Sequence, residues 1–199
     1  MIALADCNNF FASCERSIRP ELEGKPIVVL SNNDGCIIAR SNEAKALGYK
    51  MGEPVFKVKD KLLRDRVHMF SGNMALYRDI SEKIMDILRS ECNAIEVYSI
   101  DEAFMDFTSV AAAEEKAELL RIQVLKETKI PISIGIAKTK VLAKLASHIA
   151  KKHSRRGVFK LHNKDLIERA LSYYSVEELW GVGRKQTQFL NDKGIFQAS

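Results

Sequence analysis

The fold of this chain is best inferred from residues 96–107, Glu-Val-Tyr-Ser-Ile-Asp-Glu-Ala-Phe-Met-Asp-Phe. Two apolar runs of β type flank an acidic pair, Asp101 and Glu102. Adjacent side chains of a straight strand point to opposite faces of a sheet, so only a bend lets the two carboxylates share a partner. A hairpin with its bend at the pair places both at one sheet edge, where a cation relieves their repulsion and oxygen ligands suit magnesium. A solvated acidic turn is the alternative, and the pair alone favours it.

The composition is that of a globular protein. The chain has 199 residues, of which 46% are apolar and 29% charged, enough for one or two domains with a real core. The sequence contains no apolar run as long as a membrane span and does not start with a signal peptide pattern. The four cysteines lack C-x-x-C spacing, which argues against a disulfide framework or structural zinc and predicts a reducing, cytoplasmic location.

Basic residues are concentrated late in the chain. The net charge is only +5, but the segment from Lys138 to Lys160 holds eight Lys and Arg residues and no acidic residue. Such a concentration indicates a polyanionic partner. A solvated helix face is the alternative, and charge alone does not decide between them.

The order of predicted elements indicates an α+β fold. A continuous apolar strand over residues 1–7 meets Asp6 near its end, and Asn8 or Asn9 caps a helix that follows. An amphipathic helix over 71–91 with Ser71 as cap, the acidic hairpin, a helix over 111–128 and a strand over 131–137 come next. This is the β-α-β-β-α-β order of a ferredoxin-like fold, with residues 19–71 inserted. In that topology Asp6 meets the acidic pair, and three carboxylates with two divalent cations form a phosphoryl-transfer site.

The insertion has short elements of its own. Residues 26–30 and 36–39 read as strands around a turn at 31–35, and Ser41 or Asn42 caps a short helix over 43–47. Arg40 and Lys45 flank the start of that helix, where backbone amides and cations can bind phosphate. Routine surface charge is the alternative.

The basic region predicts a helix over 138–152. Val141, Leu145 and Ile149 share a face expected to pack, while the lysines at 140, 144 and 151 share another. An edge strand over 155–160 and a short helix over 163–171 follow. Gly181 and Gly183 then form a Gly-x-Gly turn before Arg184 and Lys185, which predicts a phosphate contact or a simple turn between two helices.

Several motifs now resemble one family. Asp6-Cys-Asn-Asn-Phe-Phe-Ala-Ser-Cys-Glu15, Ser99-Ile-Asp-Glu-Ala-Phe-Met-Asp106 and Gly135-Ile-Ala-Lys-Thr-Lys-Val-Leu-Ala-Lys144 resemble the Y-family translesion DNA polymerases. The residues of the first motif, together with Ala44-Lys-Ala-Leu-Gly-Tyr-Lys-Met-Gly52, are most similar to those of the UmuC type. The resemblance implies a palm at 1–18 and 72–164, fingers at 19–71 and a partial thumb, helix-hairpin-helix-like, at 165–199. The little-finger domain of the family is absent from this sequence.

The resemblance also implies roles for individual residues. Asp6, Asp101 and Glu102 match the three metal-binding carboxylates, and the Cys7 carbonyl would touch one of two Mg²⁺ ions. Phe11 matches the steric gate under the nucleotide sugar, with Phe10 beside it, and Lys151 matches a lysine that binds the triphosphate of the incoming dNTP. Many relatives place a tyrosine and an arginine on the triphosphate, where this chain has Asn42 and Lys45; lysine keeps the charge but lacks the bidentate fork. Gly181, Gly183, Arg184 and Lys185 match the thumb's contact with the DNA backbone.

The implied activity is template-directed, error-prone DNA synthesis past damaged bases in the SOS response. The implied partners are primer-template DNA, a UmuD-type accessory dimer, a recombinase filament and the sliding clamp, without a membrane. A nucleotidyl cyclase with a similar palm and a catalytically silent DNA-binding or partner-binding module are the alternatives. The missing glycine-rich cyclase signature argues against the first. The carboxylate trio argues against the second for a longer parent protein, whereas the N-terminal catalytic fragment alone is expected to be weakly active or inactive, which leaves the second alternative open for it.

Overall fold

The computed structural model describes residues 1–108 and 110–199. The strands are β1 (Ile2–Cys7), β2 (Ile27–Leu30), β3 (Ile37–Arg40), β4 (His68–Ser71), β5 (Ile95–Val97), β6 (Glu102–Asp106), β7 (Ile132–Ala137) and β8 (Val158–Lys160). The helices are α1 (Phe10–Ser17), α2 (Asn42–Ala46), α3 (Val55–Arg64), α4 (Met74–Glu91), α5 (Ala113–Thr128), α6 (Lys140–His153), α7 (Lys164–Tyr173) and α8 (Arg184–Asp192). Short 3₁₀ turns lie at Pro20–Leu22 and Val176–Glu178. Within the described residues, no helix is long and apolar enough to cross a membrane.

The larger sheet has the ferredoxin-like arrangement predicted from the sequence. Its strand order is β5-β6-β1-β7-β8, and the three pairs formed among the first four strands are antiparallel. The added edge strand β8 runs parallel to β7. The central strand β1 is covered on both faces, which explains its unbroken apolar run. Ala3 and Ala5 pack toward α4 and α5, whereas Leu4 packs toward α6 and α7.

Helix α4 supplies the core stripe that its spacing predicts. Tyr77, Ile80, Ile84, Ile87 and Leu88 are all buried. The predicted start of this helix is wrong, because Ser71 is the last residue of β4 and pairs with Leu30 of β2. Asn73 is the cap instead, and its Oδ1 accepts a hydrogen bond from the Leu76 amide at 3.1 Å.

The inserted segment forms a second sheet in the order β3-β2-β4. The β2–β3 hairpin was predicted, but the parallel strand β4 and helix α3 were not. Ser41 caps α2, accepting from the Ala44 amide, so of the two predicted candidates Ser41 is the cap. The sheet has its own small core around Val28, Ile37 and Leu62.

Helix α6 lies unusually close to β7. A Cβ atom added at Gly135 would lie 2.0 Å from the Ser147 amide nitrogen, so only glycine fits under the helix. The face that meets the sheet carries small residues, namely Ala143, Ala146, Ser147 and Ala150, all buried. The predicted packing face was therefore wrong at Val141, which is 38% exposed, because close approach selects small side chains rather than the apolar stripe.

Candidate active site

Asp6 and Glu102 face each other across two neighbouring strands. They are partners in the antiparallel register of β1 and β6, so their side chains stand on the same face of the sheet. Each carboxylate is paired with a lysine of α6. Lys151 Nζ lies 2.9 Å from Asp6 Oδ1, and Lys144 Nζ lies 2.9 Å from Glu102 Oε2. These two acids and two ammonium groups form an alternating charge cluster at the end of the central strands.

Asp101 lies on the other side of the same strand ends. The bend of the hairpin covers residues 98–101 rather than the acidic pair, and Glu102 already belongs to β6. The Asp101 carbonyl accepts from the Cys7 amide at 2.9 Å, and its carboxylate accepts from Ser99 Oγ at 2.6 Å. In residues 1–108 and 110–199, no group of three His, Cys, Asp or Glu side chains is assembled closely enough to hold one metal ion. The structure thus brings Asp6 and Glu102 together and places Asp101 next to them, in an adjoining cavity.

The three carboxylates nevertheless act on one another electrostatically. Burial raises the pKa of Glu102; the Lys144 ammonium lowers it, and the charges of Asp6 and Asp101 raise it further. Burial, followed by the charges of Asp101 and Asp6, raises the pKa of the Cys7 thiol well above its usual value. The negative charge therefore converges at the end of β1. The donor atoms of Asp6, Asp101 and Glu102 are all carboxylate oxygens. Mg²⁺ prefers oxygen donors, so these residues fit that ion.

A cavity of about 710 Å³ opens in front of Asp6 and Glu102. Its wall includes four lysines, which come from two different elements: Lys45 from α2, and Lys144, Lys151 and Lys152 from α6. Desolvation lowers the pKa of Lys45, and the neighbouring charges of Lys151 and Arg40 lower it further. Cations close enough to affect each other's pKa make a wall suited to a polyanion such as a triphosphate.

Two residues predicted from the inserted segment, Asn42 and Lys45, both contact Asn9 at the start of α1. Lys45 Nζ donates to Asn9 Oδ1, and Asn9 Nδ2 donates to Asn42 Oδ1 at 2.9 Å. Asn9 occupies the cap position of α1 with φ +52°, but its side chain makes these contacts instead of capping the helix. Asn8 also does not cap α1, since its Oδ1 accepts from Ser133 Oγ on β7.

A smaller cavity of about 220 Å³ lies beside Asp101 and Phe11. The Phe11 ring is half-buried and stacks on Tyr77, with 4.5 Å between ring centroids and 16° between planes. Phe10 also borders this cavity but is only 4% exposed, so it serves mainly as core. Arg40 lines the same cavity, and its Nη1 donates a hydrogen bond to the Tyr49 carbonyl oxygen at 2.7 Å.

The residues that were predicted to contact the DNA backbone lie at the start of α8 and just before it. Gly181 has φ +95°, which other residues rarely adopt, and Gly183 is the cap position of the helix. Arg184 and Lys185 are exposed on its first turn. They lie in the chain just after Trp180, which borders the large cavity together with Asp6 and Glu102.

Three features of this site were not predicted: the pairing of Lys144 with Glu102, and the presence of Tyr98 and of Trp180 beside it. The spacing of Lys144 and Lys151 predicted that both lie on one helix face, but it did not indicate which carboxylate each would meet. Trp180 Nε1 donates to the Tyr98 hydroxyl at 3.1 Å, and the Lys144 ammonium lies 4.7 Å and 5.3 Å from the two ring centroids. No sequence signal joins residues so far apart in the chain.

Comparison with known proteins agrees with the geometry. The pattern of the IMS family, described as impB/mucB/samB, matches residues 5–148. The chain belongs to this family. It is 49% identical to the protein UmuC of Salmonella typhimurium over 98% of this chain and 47% of that protein. It is 35% identical to DNA polymerase IV 2 of Halalkalibacterium halodurans over 98% of this chain and 49% of that protein.

Solved structures show the same fold. The insertion ternary complex of Dbh DNA polymerase matches with a TM-score of 0.85 at 29% identity, over 99% of this chain and 59% of that one. DinB from Sulfolobus solfataricus matches with a TM-score of 0.81 at 30% identity, over 99% and 58%. The resemblance to Y-family polymerases and the predicted fold class are thereby confirmed. The chain spans about half the length of the curated relatives it matches.

Proposed function

We propose that this chain carries the catalytic site of a DNA-directed DNA polymerase that copies damaged templates. The observation that carries the proposal is the Asp6–Glu102 pair at the end of the central strands, facing a cavity walled by lysines. In this assignment the palm comprises residues 1–18 and 72–164, the fingers 19–71, and the partial thumb 165–199. The two separate sheets, one in each of the first two segments, support that division.

Mg²⁺ is the metal that the oxygen donors fit. Asp6, Asp101, Glu102 and the Cys7 carbonyl would hold the two ions of the proposed mechanism. A metal held by these residues would lower the pKa of the primer 3′-hydroxyl and neutralise charge on the triphosphate. Lys144 and Lys151 neutralise Glu102 and Asp6 in the structure, so metal binding competes with these two ion pairs.

The residues of the cavity wall have separable roles in the proposal. Lys151 and Lys45 attract the triphosphate, and their charges come from the palm and the fingers respectively. Asn42 orients Lys45 indirectly, because both side chains bind Asn9. Phe11 closes the smaller cavity and limits the sugar to deoxyribose, with Phe10 packed behind it at 5.7 Å between centroids.

The nucleic acid and protein partners follow from the family. Primer-template DNA would contact the backbone amides at Gly181 and Gly183 and the side chains of Arg184 and Lys185, since a glycine turn at a helix start binds phosphate. Similarity to UmuC supports an error-prone role in the cytoplasmic SOS response. A UmuD-type dimer, a recombinase filament and the sliding clamp are the partners proposed on the same ground.

Primer extension by the full-length protein tests the proposal. Asp6→Asn, Asp101→Asn and Glu102→Gln keep the shape of each side chain but remove the charge, so each should lower the extension rate at least about 100-fold. Asp106→Asn is the matched control, because Asp106 lies on β6 but is exposed, and its carboxylate accepts a hydrogen bond from the Thr108 amide at 2.8 Å. It should leave the rate within about twofold.

Two outcomes contradict the proposal. Full activity in any of the three site variants removes that carboxylate from the metal site. Duplex binding by a wild-type protein that extends no primer identifies a silent DNA-binding module instead.

A further inference from the structure

Glu15 is a buried carboxylate with no part in the proposed chemistry. Its side chain is only 3% exposed, inside the first helix of the palm. It forms an ion pair with Arg19 one turn later and accepts a hydrogen bond from the Tyr77 hydroxyl at 2.7 Å. A buried carboxylate costs free energy unless its partners compensate it, so these two contacts fix its position.

The hydrogen bond from Tyr77 fixes an aromatic ring in turn. Tyr77 is completely buried, and its ring lies nearly parallel to that of Phe11. Burial raises the pKa of the Tyr77 hydroxyl, and the hydrogen bond to Glu15 raises it further, so the phenol keeps its proton and remains the donor. One end of the Tyr77 ring is therefore tied to α1 by a hydrogen bond, while its face supports Phe11.

A steric gate works only when its ring cannot move away from the larger sugar. Phe11 is half-buried, with one part facing the cavity beside Asp101, so contact with Tyr77 limits how far its ring can tilt. Stacked aromatic pairs add stabilisation beyond the area they bury, and only at a defined geometry. A support that shifts therefore lets the gate shift with it.

We propose that Tyr77, anchored by Glu15, is a positioning residue for sugar selection, and that it acts by holding the ring of Phe11 in place. This inference rests on the proposed function, since it presupposes that Phe11 selects the sugar of an incoming nucleotide. In this inference, the buried hydrogen bond from Tyr77 of α4 to Glu15 of α1 determines how strongly deoxyribose is selected over ribose.

Single-nucleotide incorporation by the full-length protein tests this inference. The readout is the ratio of kcat/KM for a dNTP to kcat/KM for the matching rNTP. Tyr77→Phe removes the anchor and Tyr77→Leu removes the supporting ring, and each should lower the ratio by about tenfold or more through faster rNTP incorporation. Glu15→Leu should lower it like Tyr77→Phe, whereas Glu15→Gln keeps an acceptor oxygen for the Tyr77 hydroxyl and should keep the wild-type ratio.

The control separates positioning from general loss of stability. Ile84 lies two turns further along α4 and is 1% exposed, so Ile84→Ala loosens the same helix. Its ratio should stay at the wild-type value. An equal fall in Ile84→Ala, or an unchanged ratio in folded Tyr77→Leu, overturns the inference.

Phe11→Ala distinguishes the two levels of the argument. If Phe11→Ala loses selection and the Tyr77 variants do not, the proposed function stands and this inference fails. If Phe11→Ala keeps wild-type selection, the gate assignment fails and the inference with it.

Discussion

Gly135 is the position where a single methyl group should disturb both the fold and the site. Gly135→Ala would place its Cβ 2.0 Å from the Ser147 nitrogen and 2.3 Å from the Ala143 oxygen, both backbone atoms of α6. Real Cβ atoms essentially never come closer than 3.0 Å, so helix and strand must separate by about 1 Å. Overpacking of this kind costs about 1–3 kcal/mol, and a backbone clash puts the expected loss near the upper end, about 3 kcal/mol.

The same displacement reaches the charged cluster. Helix α6 carries Lys144 and Lys151, which hold Glu102 and Asp6. Misplacing catalytic groups by about 1 Å can lower a rate by about 100-fold, so Gly135→Ala should lose activity even where it remains folded.

Urea unfolding and primer extension measure the two effects on the same variant. Gly35→Ala is the control, because the three atoms nearest its Cβ all belong to the Asn33 side chain, the closest at 3.1 Å, and none is a backbone atom. Its stability should change by no more than about 0.5 kcal/mol. A Gly135→Ala protein with wild-type stability and wild-type activity would refute the close contact between α6 and β7.

Two further predictions concern other contacts. Trp180→Ala should loosen residues 174–199 from the larger sheet, costing roughly 1–3 kcal/mol for two lost aromatic pairs. Limited proteolysis should cleave this segment faster, while Tyr98→Phe, which keeps the ring, should have a smaller effect. Burial, the hydrogen bond to Asp65 and that residue's charge raise the pKa of Tyr49 from 10.0 to about 12. The unfolded chain loses this proton first, so stability should be complete below pH 10 and fall as the pH rises to about 12. Unfolding midpoints across that range should fall less steeply in Tyr49→Phe, and an unchanged slope would contradict the assignment.

Long periodic elements were predictable from the sequence because their pattern reports burial directly. The stripe of α4 from Tyr77 to Leu88 is buried as predicted. The start of α4 could not be predicted, because Ser71 and Asn73 are both good capping residues. Only the pairing of β4 with β2 decides between them. The hairpin was also predictable, but its bend ends at Asp101, because Glu102 already pairs with β1.

The site was predictable in its members more than in its arrangement. The topology predicted that Asp6 meets the acidic pair, and the register places it opposite Glu102. The pairing of Lys144 with Glu102 depends on where α6 lies over the sheet. That position is set by Gly135 and the small residues facing it, a packing relation that a hydrophobic pattern does not encode.

The sequence by itself determined the family, the order of the elements that build the larger sheet, and the set of charged side chains near the ends of its strands. Sequence motifs and the periodicity of apolar residues are local properties of the chain, so they can be identified from the sequence alone. The tertiary structure alone decided which charges pair, that Asp101 borders an adjoining cavity rather than the one that Asp6 and Glu102 face, and that Glu15 anchors Tyr77 beside Phe11. Those relations join residues up to 145 positions apart, and their geometry depends on packing distances that only the assembled core fixes.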